Sequence, residues 1–114
     1  MKIEKFEDII AWQKSQKLAI ALYKELAATR DFSFRDQIQR AVISISNNIA
    51  EGYERKSNKE LKNFLYIAKG SCGEVRSMLY LALELNYISE KVLNEANANT
   101  IEISKIISGF IKTL

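Results

Sequence analysis

The side chains able to do chemistry gather between Arg35 and Tyr80, around the stretch RAVISISNNIAEGYERKSNKELKNFLYIAKGSCGEV. One group is polar: Arg40, Asn48, Glu51, Ser71 and Glu74. If a turn centres near Arg55, antiparallel pairing sets Arg40 beside Ser71 and within a turn of Glu74. The same pairing brings Asn48 and Glu51 near Glu60 and Lys62. A guanidinium among carboxylates allows two readings, a small acid–base site or a buried device that fixes which helices pair. Acid–base catalysis needs a pocket and a partner base that this stretch does not offer. The pairing device is therefore the plainer reading, with an Arg40–Glu74 contact as its signature.

A second group is basic. Lys59, Lys62, Tyr66, Lys69, Arg76 and Tyr80 recur at spacings of three, four and seven, and Arg55 and Lys56 extend the row into the preceding turn. Cations neutralise phosphates and tyrosines between them can stack on bases, as in proteins that bind single strands. The competing reading is a solvated face beside the core, which lysines commonly provide. Repeated around a symmetric ring, the row would make a stronger field.

Gly70-Ser71-Cys72-Gly73 lacks the lysine, the glycine spacing and the preceding strand of a phosphate loop. Glycine costs about 1 kcal/mol against alanine inside a helix, so the pair is expected to admit another backbone. Cys72 reads as an inert core thiol.

The 114 residues contain no histidine and one cysteine. That excludes serine–histidine and cysteine–histidine catalysis, histidine-ligated haem, the di-iron Glu-x-x-His signature, an intrachain disulfide and a zinc site. Neither a metal nor a cofactor is expected. The formal charge of +3 divides as +1 over residues 1–29, +3 over 30–76 and −1 over 77–114, so the excess sits in the central stretch. Such a balance permits an anionic partner without demanding one. The longest uncharged run, Ala41 to Ala50, is about half of a membrane span, and acids at the N-terminus interrupt any signal-like core. A single cytoplasmic domain, without a membrane partner, is the expectation.

Four helices must position these groups. No proline and only four glycines interrupt the chain, which favours long helices. Trp12, Ala19, Leu22, Tyr23 and Leu26, with Leu18 beside them, mark a first helix starting near Phe6 to Asp8, with Lys14, Lys17 and Lys24 on its polar side. Ser33 to Asp36 reads as a capping box opening a second, which buries Ile38, Ala41, Val42, Ile45 and Ile49 and ends near Gly52. On its polar stripe, Asp36–Arg40 and Glu51–Arg55 have the spacing of ion pairs.

Ser57 caps a third and longest helix, whose seam is Leu61, Leu65, Ala68, Cys72, Val75, Leu79 and Ala82. A second row, Phe64, Ile67, Ser71, Met78, Leu81 and Leu85, makes its apolar arc wider than one helix pair requires. Ser89 caps a fourth, with Leu93, Ala96, Thr100, Ile103, Ile107, Phe110 and Leu114 inward and Ile101, Ile106 and Ile111 to the side. Short connections imply an all-α, up-down-up-down antiparallel four-helix bundle over residues 1–114.

Arg40-Ala41, Ser44-Ile45, Asn48 to Gly52, Arg55, Ser57, Phe64-Leu65, Ile67-Ala68, Gly70-Ser71 and Glu74, with the opening FEDIIAWQ, resemble the 23S rRNA intervening-sequence protein family of four-helix bundles. The resemblance implies a ring-forming bundle, typically a homopentamer, with no catalytic residues, and the family's older ribosomal-protein label does not mean ribosome membership. The family is similar to the accessory protein of diversity-generating retroelements, a pentameric ring that binds reverse transcriptase and nucleic acid.

The leading expectation is a non-enzymatic oligomer that binds RNA or DNA electrostatically. The candidate contacts are Arg55, Lys56, Lys59, Lys62, Tyr66, Lys69 and Arg76. The alternative is a scaffold for a protein partner such as a polymerase. Acid–base work by Glu51, Glu74 and Arg40 comes third.

Overall fold

Four apolar rows at helical spacing become four helices in a computed structural model that describes residues 2–114. A 3-10 turn at Phe6–Asp8 precedes α1 (Ile10–Glu25), α2 (Phe32–Tyr53), α3 (Asn58–Glu84) and α4 (Glu90–Lys112). No strand forms among the described residues.

The helix starts follow from side-chain acceptors. Ser57 Oγ accepts the Glu60 amide and Ser89 Oγ accepts the Val92 amide, both at 3.2 Å, each satisfying one orphan donor of a first turn. The α2 cap differs from the sequence expectation. Asp31, not Ser33, receives the Phe34 amide at 3.1 Å, and Ser33 lies inside the first turn. The reason is that Tyr87 also bonds Asp31 and fixes its carboxylate at that helix end. At the far end of α3, Asn86 takes a left-handed φ of 63°. Its amide meets Leu83 O, and the Tyr87 amide reaches Ala82 O at 2.8 Å, the pattern of a Schellman stop.

The inward rows of α2 and α3 are buried, as their periodicity leads one to expect. In α1 the buried row is Ala11, Ser15, Leu18 and Leu22; Trp12 and Ala19 flank it, and Tyr23 is exposed. Ser15 and Thr100 are buried hydroxyls that bond the carbonyls of Ala11 and Ala96 one turn back, so neither is left unpaired. In the last turn of α4 Ile111 is buried, while Phe110 and Leu114 sit at the margin. The second row of α3 divides. Ser71 and Met78 are buried, Phe64 is half-buried, and Ile67, Leu81 and Leu85 are 52%, 50% and 43% exposed.

The α2–α3 contact is the most extensive; α1 packs on α2 and α4, and α3 on α4, with no diagonal pair in contact. This is an antiparallel bundle measuring 43 × 23 × 19 Å. One glycine sets how its central hairpin closes. A Cβ on Gly52 would lie 2.7 Å from Phe64 Cβ and 3.1 Å from Leu61 Cδ1, so α2 passes against the first turns of α3 where no side chain fits. No helix among the described residues is long and apolar enough to cross a membrane.

Candidate nucleic-acid interface

The basic row occupies one flank of α3, and its members have different surroundings. Arg55, in the turn, pairs with Glu51 Oε1 at 3.2 Å and lies 4.8 Å above the Phe64 ring. Lys56, Lys59 and Lys62 enter no ion pair or side-chain hydrogen bond with another described residue. Further along, the row meets α4. Lys69 Nζ donates to Ser108 Oγ at 2.6 Å, and Arg76 Nε donates to Asn97 Oδ1 at 3.0 Å. Asn97 Nδ2 in turn donates to the Tyr80 hydroxyl at 3.1 Å. These α4 partners are neutral, so the contacts fix both side chains without pairing them to an acid. Tyr66 is 60% exposed and Tyr80 49%.

The other expected cluster comes together only in part. Ser44 and Ser71 hydroxyls lie 2.9 Å apart, and Asn48 Nδ2 donates to both Ser44 O and Ser44 Oγ at 2.8 Å. Ser71 thus faces Ser44 and not Arg40, one helical turn along α2 from the expected pairing. The Gly52 contact with Leu61 and Phe64 fixes this register, rather than the midpoint of the turn. Arg40 and Glu74 do line one shallow cleft of about 170 Å³ with Gln37, Ala41 and Ser44, but no ion pair joins them. Both are exposed, where water competes and such a pair is worth little. The expected Asp36–Arg40 pair is likewise absent, since Asp36 approaches Arg35 Nε instead, at 3.9 Å. Asn48 and Glu51 do not reach Glu60 or Lys62: Glu51 holds Arg55, and Glu60 serves the Ser57 cap. What crosses the hairpin is a neutral hydroxyl–amide network.

Gly70 and Gly73 also depart from expectation, because a Cβ at either would meet nothing within 4 Å. Within one chain they admit no neighbouring backbone. Cys72 is buried, and burial pushes its thiol up to about 11, in keeping with an inert core group.

Two larger clefts lie between helices. One of about 310 Å³ between α1 and α4 includes Lys14 and Glu102, which pair at 2.8 Å. The other, about 360 Å³ between α1 and α2, is lined by Gln16, Ala19, Ile20, Tyr23, Lys24, Ile43 and Ser46. Neither joins a nucleophile to a base, and no group of three or more metal-ligating side chains forms among the described residues.

A family model described as 23S rRNA-intervening sequence protein matches residues 7–109. The chain belongs to this family. A crystal structure of a protein of unknown function from the S23 ribosomal protein family of Bacteroides thetaiotaomicron superposes with a TM-score of 0.84 at 29% identity. The alignment covers 90% of this chain and 99% of that one. Among curated proteins none matches. The family match spans all four helices and so includes the α3–α4 flank.

Spacing along the sequence identifies the α3 side of this flank but not Asn97 and Ser108. On their own these two are ordinary polar residues on a helix, and only the α3–α4 register gives them partners. Asp31 and Tyr87, joined across the far end of the bundle, escape notice for the same reason.

Proposed function

We propose that the protein is a non-enzymatic, self-associating bundle that binds nucleic acid electrostatically at the α2–α3 turn end and along the adjoining flank of α3. The observation that carries this reading is that Lys56, Lys59 and Lys62 lack acidic partners at one end of the rod. Lys2, Lys5 and Lys112 lie toward the same end, as do the acids Glu4, Glu7, Asp8, Glu54 and Glu60. Acids prevail at the opposite end, where Glu25, Asp31, Asp36, Glu84, Glu90 and Glu95 outnumber Lys24, Arg30, Arg35 and Lys91. A field of this shape draws phosphate to one end.

Self-association is supported by apolar surface left on the α2–α3 hairpin. Phe32, Ile67, Leu81 and Leu85 are each more than two-fifths exposed, more than an isolated helical bundle needs to show. A homopentamer, as the family resemblance implies, would cover it and repeat the lysines around a ring.

The test is salt-dependent retention of a labelled RNA. Affinity should fall steeply as salt rises. Lys56→Glu, Lys59→Glu and Lys62→Glu together should flatten that dependence by about 0.7 for each single-strand phosphate no longer neutralised. No salt-sensitive binding to RNA or DNA at micromolar protein removes the reading. Light scattering on a sizing column reads assembly separately: a species at the 13.1 kDa chain mass at tens of micromolar refutes self-association. The exposed hairpin surface also favours a second reading, a scaffold for a protein partner, which capture of that partner after nuclease treatment would support.

A further inference from the structure

Resting on that nucleic-acid reading, we propose that the α3–α4 flank is a single-strand site, in which Tyr66 and Tyr80 stack on bases and Arg76 forks a phosphate between them. The two rings stand on one stripe of α3, 14 positions apart, about 21 Å at 1.5 Å rise per residue. Gly73 lies midway, and with Gly70 it leaves the helix backbone bare, since an added Cβ would touch nothing within 4 Å. The stripe between Lys62 and Tyr80 carries no acid. Glu74, the nearest one in sequence, lines the cleft on the α2 side instead.

Arg76 is the organised element. Its Nε is committed to Asn97 Oδ1, while Nη1 and Nη2 have no protein partner among the described residues. A guanidinium held at Nε presents its two terminal nitrogens as a planar fork, the geometry that grips phosphate oxygens. Asn97 also holds the Tyr80 hydroxyl, so one amide orients both the fork and the adjacent ring. Lys69, tethered to Ser108, supplies a second fixed charge. Exposed rings beside fixed cations suit a strand whose bases are unstacked. A duplex keeps its base faces stacked away from such rings and offers its phosphates and groove edges instead.

The experiment is fluorescence anisotropy with a labelled oligothymidylate and a duplex of equal length, using the full chain at low salt. The single strand should bind more tightly. Tyr66→Ala and Tyr80→Ala should each weaken it at least about fivefold, while Tyr66→Phe should leave it unchanged and Arg76→Lys should weaken both probes. Circular dichroism confirms that each variant keeps its helices, as the exposure of both rings leads one to expect. Equal affinity for duplex, or alanine variants that bind as the parent does, overturns the single-strand site. If the triple glutamate variant then still loses binding, the electrostatic reading survives alone. Failure of both probes to bind overturns both readings.

Discussion

The Tyr87 hydroxyl donates to Asp31 Oδ2 over 2.7 Å, clasping the α1–α2 connection to the α3–α4 connection. The same carboxylate caps α2 through the Phe34 amide, so one side chain serves a helix start and a tertiary link. First the Tyr87 bond and then the Phe34 amide hold Asp31 below its ordinary value of 3.8. That bond is also the main cause that pushes Tyr87 above 10.0.

The pH dependence follows in sign. A depressed carboxylate gives stability that is present above its unfolded value and lost as pH falls through the lower folded one. A raised phenol gives stability that is present below 10.0 and lost as pH climbs through the higher folded value. Tyr87→Phe should therefore lower the melting temperature most between these limits, with the deficit shrinking in strong acid and strong alkali. Melts followed by circular dichroism across that range check this, and a deficit constant with pH refutes it.

The glycines of the central hairpin should respond with opposite signs. Alanine at Gly73 or Gly70 has room and recovers helix propensity, so each should stabilise by about 0.5 to 1 kcal/mol. Gly52→Ala puts a methyl 2.7 Å from Phe64 Cβ, an atom close to the backbone that cannot swing aside. Overpacking of this kind typically costs about 1 to 3 kcal/mol, which outweighs the propensity gain. Urea unfolding of the three variants reads both signs. A loss at Gly70 together with a fall in assembled mass would place a sister copy against that stripe.

Cys72 should be nearly unreactive in the folded chain. A thiol at about 11 instead of 9.0 presents roughly a hundredfold less thiolate near neutrality, and burial blocks access as well. Iodoacetamide labelling at mildly alkaline pH should run at least about a hundredfold slower than in denaturing urea. Comparable rates would mean that α3 opens readily at its centre.

Helical spacing made the fold legible. Ile38, Ile45 and Ile49, and the α3 seam from Leu61 to Ala82, are buried as their periodicity requires, because burying one face is what stabilises an amphipathic helix. Register was not legible. Ser71 meets Ser44 because of how closely α2 can approach at Gly52, and that distance depends on the packed pair rather than on turn length. The α2 cap was misplaced since Asp31 and Ser33 are both good caps and only the distant Tyr87 selects one. For the flank, spacing assembled Lys69, Arg76 and Tyr80 on one side of α3. Nothing in one helix could reveal that Asn97 and Ser108 stand opposite.

The uneven placement of acids and cations makes the 43 Å rod a weak electric needle. In dilute electrolyte, where fields reach about 30 Å, a polyanion of the proposed kind would swing the lysine-bearing tip toward itself before surfaces touch. At physiological ionic strength that reach shrinks to about 8 Å, and the torque acts only close to contact. On the proposed single-strand site, orientation would then be won after collision, by the tethered guanidinium and the two rings.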